Sequence, residues 1–286
     1  MIKLKTIIIF SFLGVLFHLF SCEKDVTNVE VPIVQPQLVV ASFLNPLDNT
    51  SRVYLSWSNP IFHNSDMTHH NESMANVYII KDGGEYKLSY KSGFYETEIG
   101  QMPIEVGEKY KLKIISDKSV DLNAETTIPP KPVFEISYMG MDSMISEKKG
   151  FQYEYIIYVK IKIQNPDKKG YYRIRPSGYI KTNQGLTNRG FSMPGNENRI
   201  IYGNYEGVLR LGFQNWGYGL GGAFSIDKII ITLDKGDETF YRYNNAIEHY
   251  SGIDVFTEPT QVYSNIENAF GVFCSYSTKK DSILLN

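Results

Sequence analysis

Three stretches of this 286-residue chain carry side chains able to do chemistry. The first is Phe62-His63-Asn64-Ser65-Asp66-Met67-Thr68-His69-His70-Asn71-Glu72, where His63, His69 and His70 offer imidazole nitrogens beside the carboxylates of Asp66 and Glu72. Imidazole with carboxylate is a donor set for a divalent transition metal. A metal site also needs a distant ligand pair to fix its geometry, and the sequence supplies none. The stretch therefore reads first as a solvated polar loop between strands, and neither a metal nor any other cofactor is assigned. The second stretch runs from Gly212 to Gly222 and contains Trp216-Gly217-Tyr218. Glycines let a loop fold back closely, and Trp216 and Tyr218 offer flat apolar faces with polar edges, as recognition surfaces do. The same residues also describe a bent loop whose aromatics pack on their own sheet.

The third stretch is Leu19-Phe20-Ser21-Cys22, preceded by Lys3, Lys5 and an apolar run from Ile7 to Phe20 and followed by Glu23-Lys24-Asp25. A basic start, a short apolar segment and a small residue before cysteine form the pattern of a secretion signal cleaved to expose a lipidated cysteine. The apolar run falls short of the ~20 residues that cross a bilayer as a helix. Residues 1–21 are read as the signal peptide, Cys22 as the lipidated first residue and residues 22–36 as a tether, with the outer membrane as the place of anchoring. Glu23-Lys24-Asp25 approximates a surface-export signal, so the cell surface is expected rather than the periplasmic face. The other cysteine, Cys274, lies in the apolar Phe270-Gly271-Val272-Phe273-Cys274 and reads as a buried hydrophobe.

No phosphate-cradling Gly-x-x-x-x-Gly-Lys, no Gly-x-Ser-x-Gly elbow, no His-Glu-x-x-His and no Cys-x-x-Cys occurs, so no catalytic residue is assigned and an enzyme is not expected. With 29 basic against 31 acidic residues the formal net charge is −2, and signal removal takes two lysines away. A chain of that balance without a basic cluster is not built for nucleic acid.

Strands must position whatever these residues do. From Leu38 to about Ile128 the apolar period is two: Val53, Leu55 and Trp57 alternate with Tyr54 and Ser56, and Tyr110, Leu112 and Ile114 alternate with the water-facing Lys109, Lys111 and Lys113. Asp82-Gly83-Gly84 marks a tight hairpin between Val77–Ile80 and Tyr86–Tyr90. About seven short strands at this spacing predict an Ig-like or transthyretin-like β-sandwich over residues 37–131. Pro129-Pro130-Lys131-Pro132 interrupts the pattern and marks the start of a second β-rich domain, residues 132–286. Its expected strands are Val133–Tyr138, Tyr153–Gln164, Tyr171–Pro176, Gly178–Thr182, Arg199–Tyr202, Gly207–Phe213, Ala223–Leu233, Thr260–Tyr263 and Gly271–Tyr276. A polar loop is expected from Ser143 to Gly150. One helix is expected over about 237–251, capped by Asp237, with Phe240, Tyr243, Ile247 and Tyr250 on its packed side.

Several segments together resemble one family. They are Leu38-Val39-Val40-Ala41-Ser42-Phe43, Lys81-Asp82-Gly83-Gly84, the run from Val106 to Leu112, Thr126-Thr127-Ile128-Pro129, Glu258-Pro259 and the run from Tyr263 to Phe273. The chain is similar, from its signal almost to its C-terminus, to a Bacteroidota lipoprotein family catalogued as domain of unknown function 4249. Ser264-Asn265-Ile266-Glu267-Asn268 is the most specific part; Ala269 and Cys274 stand where the family pattern leads one to expect glycines. The resemblance implies a TonB-dependent outer-membrane receptor as partner, with the chain as an accessory or substrate-delivery lipoprotein in nutrient uptake. It carries over no catalytic residue. The other reading left open is a freestanding surface module for glycan or peptide binding, or adhesion.

Since Cys22 is the one residue placed to accept the lipid, Cys22→Ala should abolish acylation and mislocalise the protein. Metabolic labelling with a fatty-acid analogue checks this, and label retained by Cys22→Ala would refute it.

Overall fold

In β1 (Leu38–Leu44) every second side chain is buried, and the same alternation runs through β7 (Lys109–Ile115) and β8 (Leu122–Thr127). Side chains on a strand point to opposite faces in turn, so one face of each strand is committed to a core. A computed structural model describes residues 35–58, 70–117, 121–146, 152–164, 170–182, 185–193, 200–214, 225–248 and 262–285. All but Gln35 belong to one compact unit. The fold is mainly β in a sandwich-like arrangement, with a single helix among the described residues, close to the C-terminus. That helix is neither long nor apolar enough to cross a membrane.

The other strands of the first half are β2 (Arg52–Trp57), β3 (His70–Asn71), β4 (Asn76–Lys81), β5 (Gly84–Lys91) and β6 (Phe94–Glu96). The hairpin between β4 and β5 turns on Asp82 (φ 50°) and Gly83 (φ 80°), the two positive φ values that a right-twisted two-residue hairpin demands. Strand β5 pairs with β4 over its first five residues and with β6 over its last three, so the sheet folds over on itself there. Leu38, Val40, Val53 and Leu55 then face Val77, Ile79, Leu112 and Ile114 across the first core.

The second half contains β9 (Val133–Ser146), β10 (Gln152–Gln164), β11 (Tyr171–Thr182), β12 (Gly185–Gly190), β13 (Ile200–Tyr202), β14 (Tyr205–Gln214), β15 (Ser225–Gly236), α1 (Glu238–Glu248) and β16 (Phe270–Leu284). A three-stranded sheet, β14-β10-β9, covers a second core. There Ile157, Val159, Ile161 and Leu211 pack with Tyr172, Ile174, Ile229 and Ile231 from the large sheet. That large sheet runs β12-β11-β15-β16-β1-β2-β6-β5-β4-β7-β8, with β13 beside β11 and β3 beside β2.

Several elements differ from their expected bounds. Strand β9 runs through Ser143–Ser146, where a polar loop is expected, because β10 pairs with it along that whole length. Tyr171–Thr182 is one strand rather than two. Pro176, which has no N–H to donate, falls between the stretches of β11 paired by β13 and β12, and its carbonyl accepts the Phe191 N–H at 3.1 Å. Val262 and Tyr263 are not in a strand; Tyr263 instead lies under the Arg242 guanidinium, 5.4 Å from its ring centre. Strand β16 continues eight residues beyond Tyr276 because β15 offers it a partner as far as Leu284. Helix α1 starts as expected, with Asp237 Oδ1 accepting the Phe240 N–H at 2.7 Å, but its packed side is Phe240, Tyr243 and Asn244, while Ile247 is exposed.

The first core is completed from the far end of the chain by Ile266, Ala269 and Phe273. The first half of β16 pairs in parallel with β1, from Val39 opposite Phe270 to Leu44 opposite Ser275. A Cβ on Gly271 would lie 1.9 Å from the Val40 carbonyl oxygen, and its φ is 104°, so only glycine fits there. On the other edge β15 reaches only to Tyr276, and three substitutes continue its ladder. The Asp237 N–H donates to the Ser275 carbonyl at 3.2 Å, and the Asn265 N–H donates to the Gly271 carbonyl at 3.3 Å. Between them the Asn265 side-chain amide donates to the Phe273 carbonyl at 2.8 Å and accepts its N–H at 3.0 Å.

Asn265→Ala strands both backbone groups of Phe273 in a buried setting, which costs about 2–4 kcal/mol given the usual penalty for an unmet buried partner. Asn265→Asp keeps the acceptor for the Phe273 N–H but sets an ionised carboxylate oxygen against the Phe273 carbonyl, so its melting temperature should also fall, and less at acid pH, where the protonated side chain can donate again. Equal melting temperatures for wild type and Asn265→Ala would show the clasp to be dispensable.

Candidate functional site

Cys22, His63, Asp66, His69, Trp216 and Tyr218 lie outside the described residues. His70 opens β3 with its backbone opposite Trp57. Glu72 is buried: one carboxylate oxygen accepts the Trp57 indole N–H at 2.9 Å and the other the Met74 N–H at 2.7 Å. Both oxygens are thus turned toward the protein rather than toward a ligand. Among the described residues no three His, Cys, Asp or Glu side chains converge as a metal would need. Cys274 is wholly buried in a small cluster with Phe240 and Val272, and burial, with the nearby Asp237 carboxylate, pushes its thiol well above the usual range. It is a packing residue, since a thiol so raised holds its proton and is no nucleophile.

Among the described residues an open cleft of about 460 Å³ lies on the outer face of β1, β2 and β6, and a second, of about 570 Å³, lies beside Val133, Lys162, Tyr205 and Glu206; the first is the one floored by aromatic rings. The alternation that sends Val40, Val53 and Leu55 inward sends Ala41, Phe43, Tyr54 and Phe94 outward, where they form the floor. Ala41 sits directly opposite Tyr54, so the smallest floor residue leaves depth beside a large one. The Tyr54 and Phe94 rings lie 6.0 Å apart at 58°, like two sides of a shallow cup. The wall is the β1–β2 turn, with Leu47, Asp48, Asn49 and Thr50, and Arg52 stands at the end of β2.

That turn is held at several points. The Asn45 carbonyl accepts the Asp48 N–H at 2.9 Å, and its side-chain oxygen accepts the Leu47 N–H at 3.1 Å. The Asn49 carbonyl accepts from Gly100, while Ser51 and Thr97 exchange two hydrogen bonds of 3.0 and 3.1 Å. Behind the wall, Asn45 Nδ2 donates to Thr278 Oγ1 (3.1 Å), which donates to Asp234 Oδ1 (2.7 Å). Asp234 is clamped by Arg175 through two bonds of 2.7 and 2.8 Å. The electrostatics of the cleft are mixed. Arg52 Nε is 3.1 Å from Glu96 Oε2, and burial raises the Asp48 carboxyl above the usual range while Arg52 draws it back.

A second polar cluster lies deeper, where β8 meets β16. Thr126 Oγ1 is 2.6 Å from Asp237 Oδ2 and 2.8 Å from Ser275 Oγ, and Ser275 Oγ is 2.9 Å from the Thr127 carbonyl. Three contacts with only two hydroxyl protons leave one bond without a donor unless Asp237 carries a proton. A protonated Asp237 donates to Thr126, which donates to Ser275, which donates to Thr127. Burial raises the Asp237 pKa, in agreement with that proton count, while the Phe240 N–H, and the Thr126 hydroxyl when it is turned to donate to the ionised carboxylate, oppose the rise.

Sequence reasoning places Tyr54 on the outward side of its strand but does not identify the cleft. Its residues come from β1, β2, β6 and a turn, and only the register Ala41–Tyr54 with Arg52–Glu96 brings them together. An outward tyrosine across from a small residue is the one signal available in advance, and it needs the pairing to be known. Against known proteins, a family model described as Domain of unknown function (DUF4249) matches residues 24–282. No curated protein matches the chain.

Because the folded pKa of Asp237 is raised above its unfolded value of about 4, the stabilisation tied to its proton is full below that value. It is lost as pH rises through the folded pKa. Asp237→Asn supplies a permanent donor to Thr126 and still caps α1. The variant should therefore lack this part of the decline, which denaturation midpoints measured from about pH 4 to 8 would show. Identical pH profiles for the two proteins would mean that Asp237 is already ionised.

Proposed function

The chain belongs to the DUF4249 family, and on that membership together with its N-terminal pattern we propose that it is an outer-membrane lipoprotein serving a TonB-dependent transporter in nutrient uptake. The observation that carries the reading is Leu19-Phe20-Ser21-Cys22 followed by the polar Glu23-Lys24-Asp25 and the run to Pro36. Acylated Cys22 holds the protein at the membrane, since several buried acyl chains keep a protein anchored where one would exchange. The stretch to Pro36 sets the folded body off from the lipid, and Glu23-Lys24-Asp25 directs it to the cell surface. The cleft of Tyr54 and Phe94 then serves as the recognition surface from which ligand passes to the barrel. The cleft also supports a second reading, a freestanding glycan- or peptide-binding module, because its floor and wall are complete within this chain.

Affinity purification of the tagged full-length chain from detergent-solubilised envelopes separates the two. A large β-barrel recovered in near-stoichiometric amount is the outcome expected of a transporter partner. Recovery of the chain without any barrel, under conditions that retain bound ligand, would replace the first reading with the second.

A further inference from the structure

We propose that the cleft on β1, β2 and β6 binds a neutral saccharide, with Tyr54 and Phe94 packing on the C–H faces of a sugar ring and Asp48, Asn49, Thr50 and Arg52 exchanging hydrogen bonds with its hydroxyls. The proposal rests on the reading of this cleft as the recognition surface and names its ligand class. The cleft's volume, about 460 Å³, lies within the range of small-molecule sites.

Its chemistry divides into a flat apolar floor and a polar rim. A pyranose is built the same way, with apolar C–H faces and a girdle of hydroxyls. The two rings stand 6.0 Å apart at 58°, and Phe94 is 41 % exposed, so its surface is open to a ligand rather than buried in the core. The rim offers a carboxylate acceptor, a guanidinium donor, and an amide and a hydroxyl that both donate and accept, the inventory that neighbouring hydroxyls require.

Charge argues for a neutral ligand. An anion entering the cleft meets Asp48, and a cation meets Arg52, whose own charge is already offset by Glu96. Geometry argues against an extended peptide. Strand β2 lies between β1 and β6, and at the floor its backbone groups are engaged by Ala41 on one side and by Glu96 and Tyr95 on the other. No free strand edge is offered there for a peptide backbone to join. The wall is also set before any ligand arrives. Asn45, Asn49 and Ser51 tie it to Thr278, Gly100 and Thr97, so little ordering cost falls on binding.

The test applies the detergent-purified, lipidated full-length protein to an array of neutral hexose and N-acetylhexosamine oligosaccharides, followed by calorimetric titration of whichever glycan is retained. The expected result is retention of a neutral glycan, with affinity at least tenfold lower in Phe94→Ala and in Asp48→Asn and no measurable binding in Ala41→Leu, which fills the floor. Asp48 is exposed and Asp48→Asn is isosteric, so this variant should melt as wild type does and keep the test valid if Phe94→Ala or Ala41→Leu loses stability. An array without any retained neutral glycan overturns the proposal, as does retention of charged glycans alone or binding unchanged in Phe94→Ala and Asp48→Asn. An empty array with the barrel still recovered removes the saccharide and spares the transporter partnership. An occupied array without the barrel does the reverse.

Discussion

The parallel pairing of β1 with the first half of β16 joins the two ends of the folded body, and both cores depend on it. It places Phe273 in the first core and carries the same strand on to β15, where Ile283 packs against the second. A parallel contact between chain ends has no short turn to close it, so its register must be set by fit. The fit is supplied by Gly271, whose missing side chain lets the Val40 carbonyl approach, and by Ala41, Phe43 and Leu44 lying opposite Val272, Cys274 and Ser275. A strand placed this deep needs both edges satisfied, because an unpaired buried backbone group costs as much as a lost hydrogen bond. Asn265 and Asp237 meet that demand where β15 stops short.

This arrangement explains what the segment from Ser264 to Asn268 does. Ser264-Asn265-Ile266-Glu267-Asn268 is a clasp: Ser264 Oγ contacts the carbonyls of Ile266 and Ala269, Asn268 adopts a left-handed φ of 61°, Ile266 enters the core and Asn265 takes the place of a strand. These residues therefore serve the fold. The cleft is built from residues of commoner kinds, and its distinctness lies in their placement. Its wall borrows rigidity from the same centre, since the line from Arg175 through Asp234 and Thr278 to Asn45 ends in the β1–β2 turn. Binding surfaces gain from such backing, because a preformed wall leaves less entropy to be lost on contact.

The buried polar groups follow one rule. Buried Glu72 and Asp234 and half-buried Asp237 each sit where two or more donors or hydroxyls meet them, as taking a carboxyl from water demands. Glu72 shows why a sequence neighbourhood misleads. Standing two residues after His70 it reads as part of a metal-ligand cluster, yet its N–H donates to the Leu55 carbonyl and its carboxylate accepts from the Trp57 indole and the Met74 N–H, which hold it inward.

By itself the sequence determined the β class, the position of most strands, the hairpin at Asp82-Gly83, the cap at Asp237 and the burial of Cys274. These follow from local causes: a two-residue period of side-chain polarity, a turn that needs positive φ, a carboxylate that accepts the first free N–H groups of a helix. Only the tertiary structure decided how long β9, β11 and β16 run, that Pro176 falls in a gap between partners, that Asn265 replaces a strand and that Ala41, Tyr54, Phe94 and Arg52 share one cleft. Polarity along a strand tells which face is buried but is silent about the neighbour, because backbone N–H and C=O groups are the same at nearly every residue. The choice of partner and register is made by side chains distant in sequence, and these meet only once the sheet has formed.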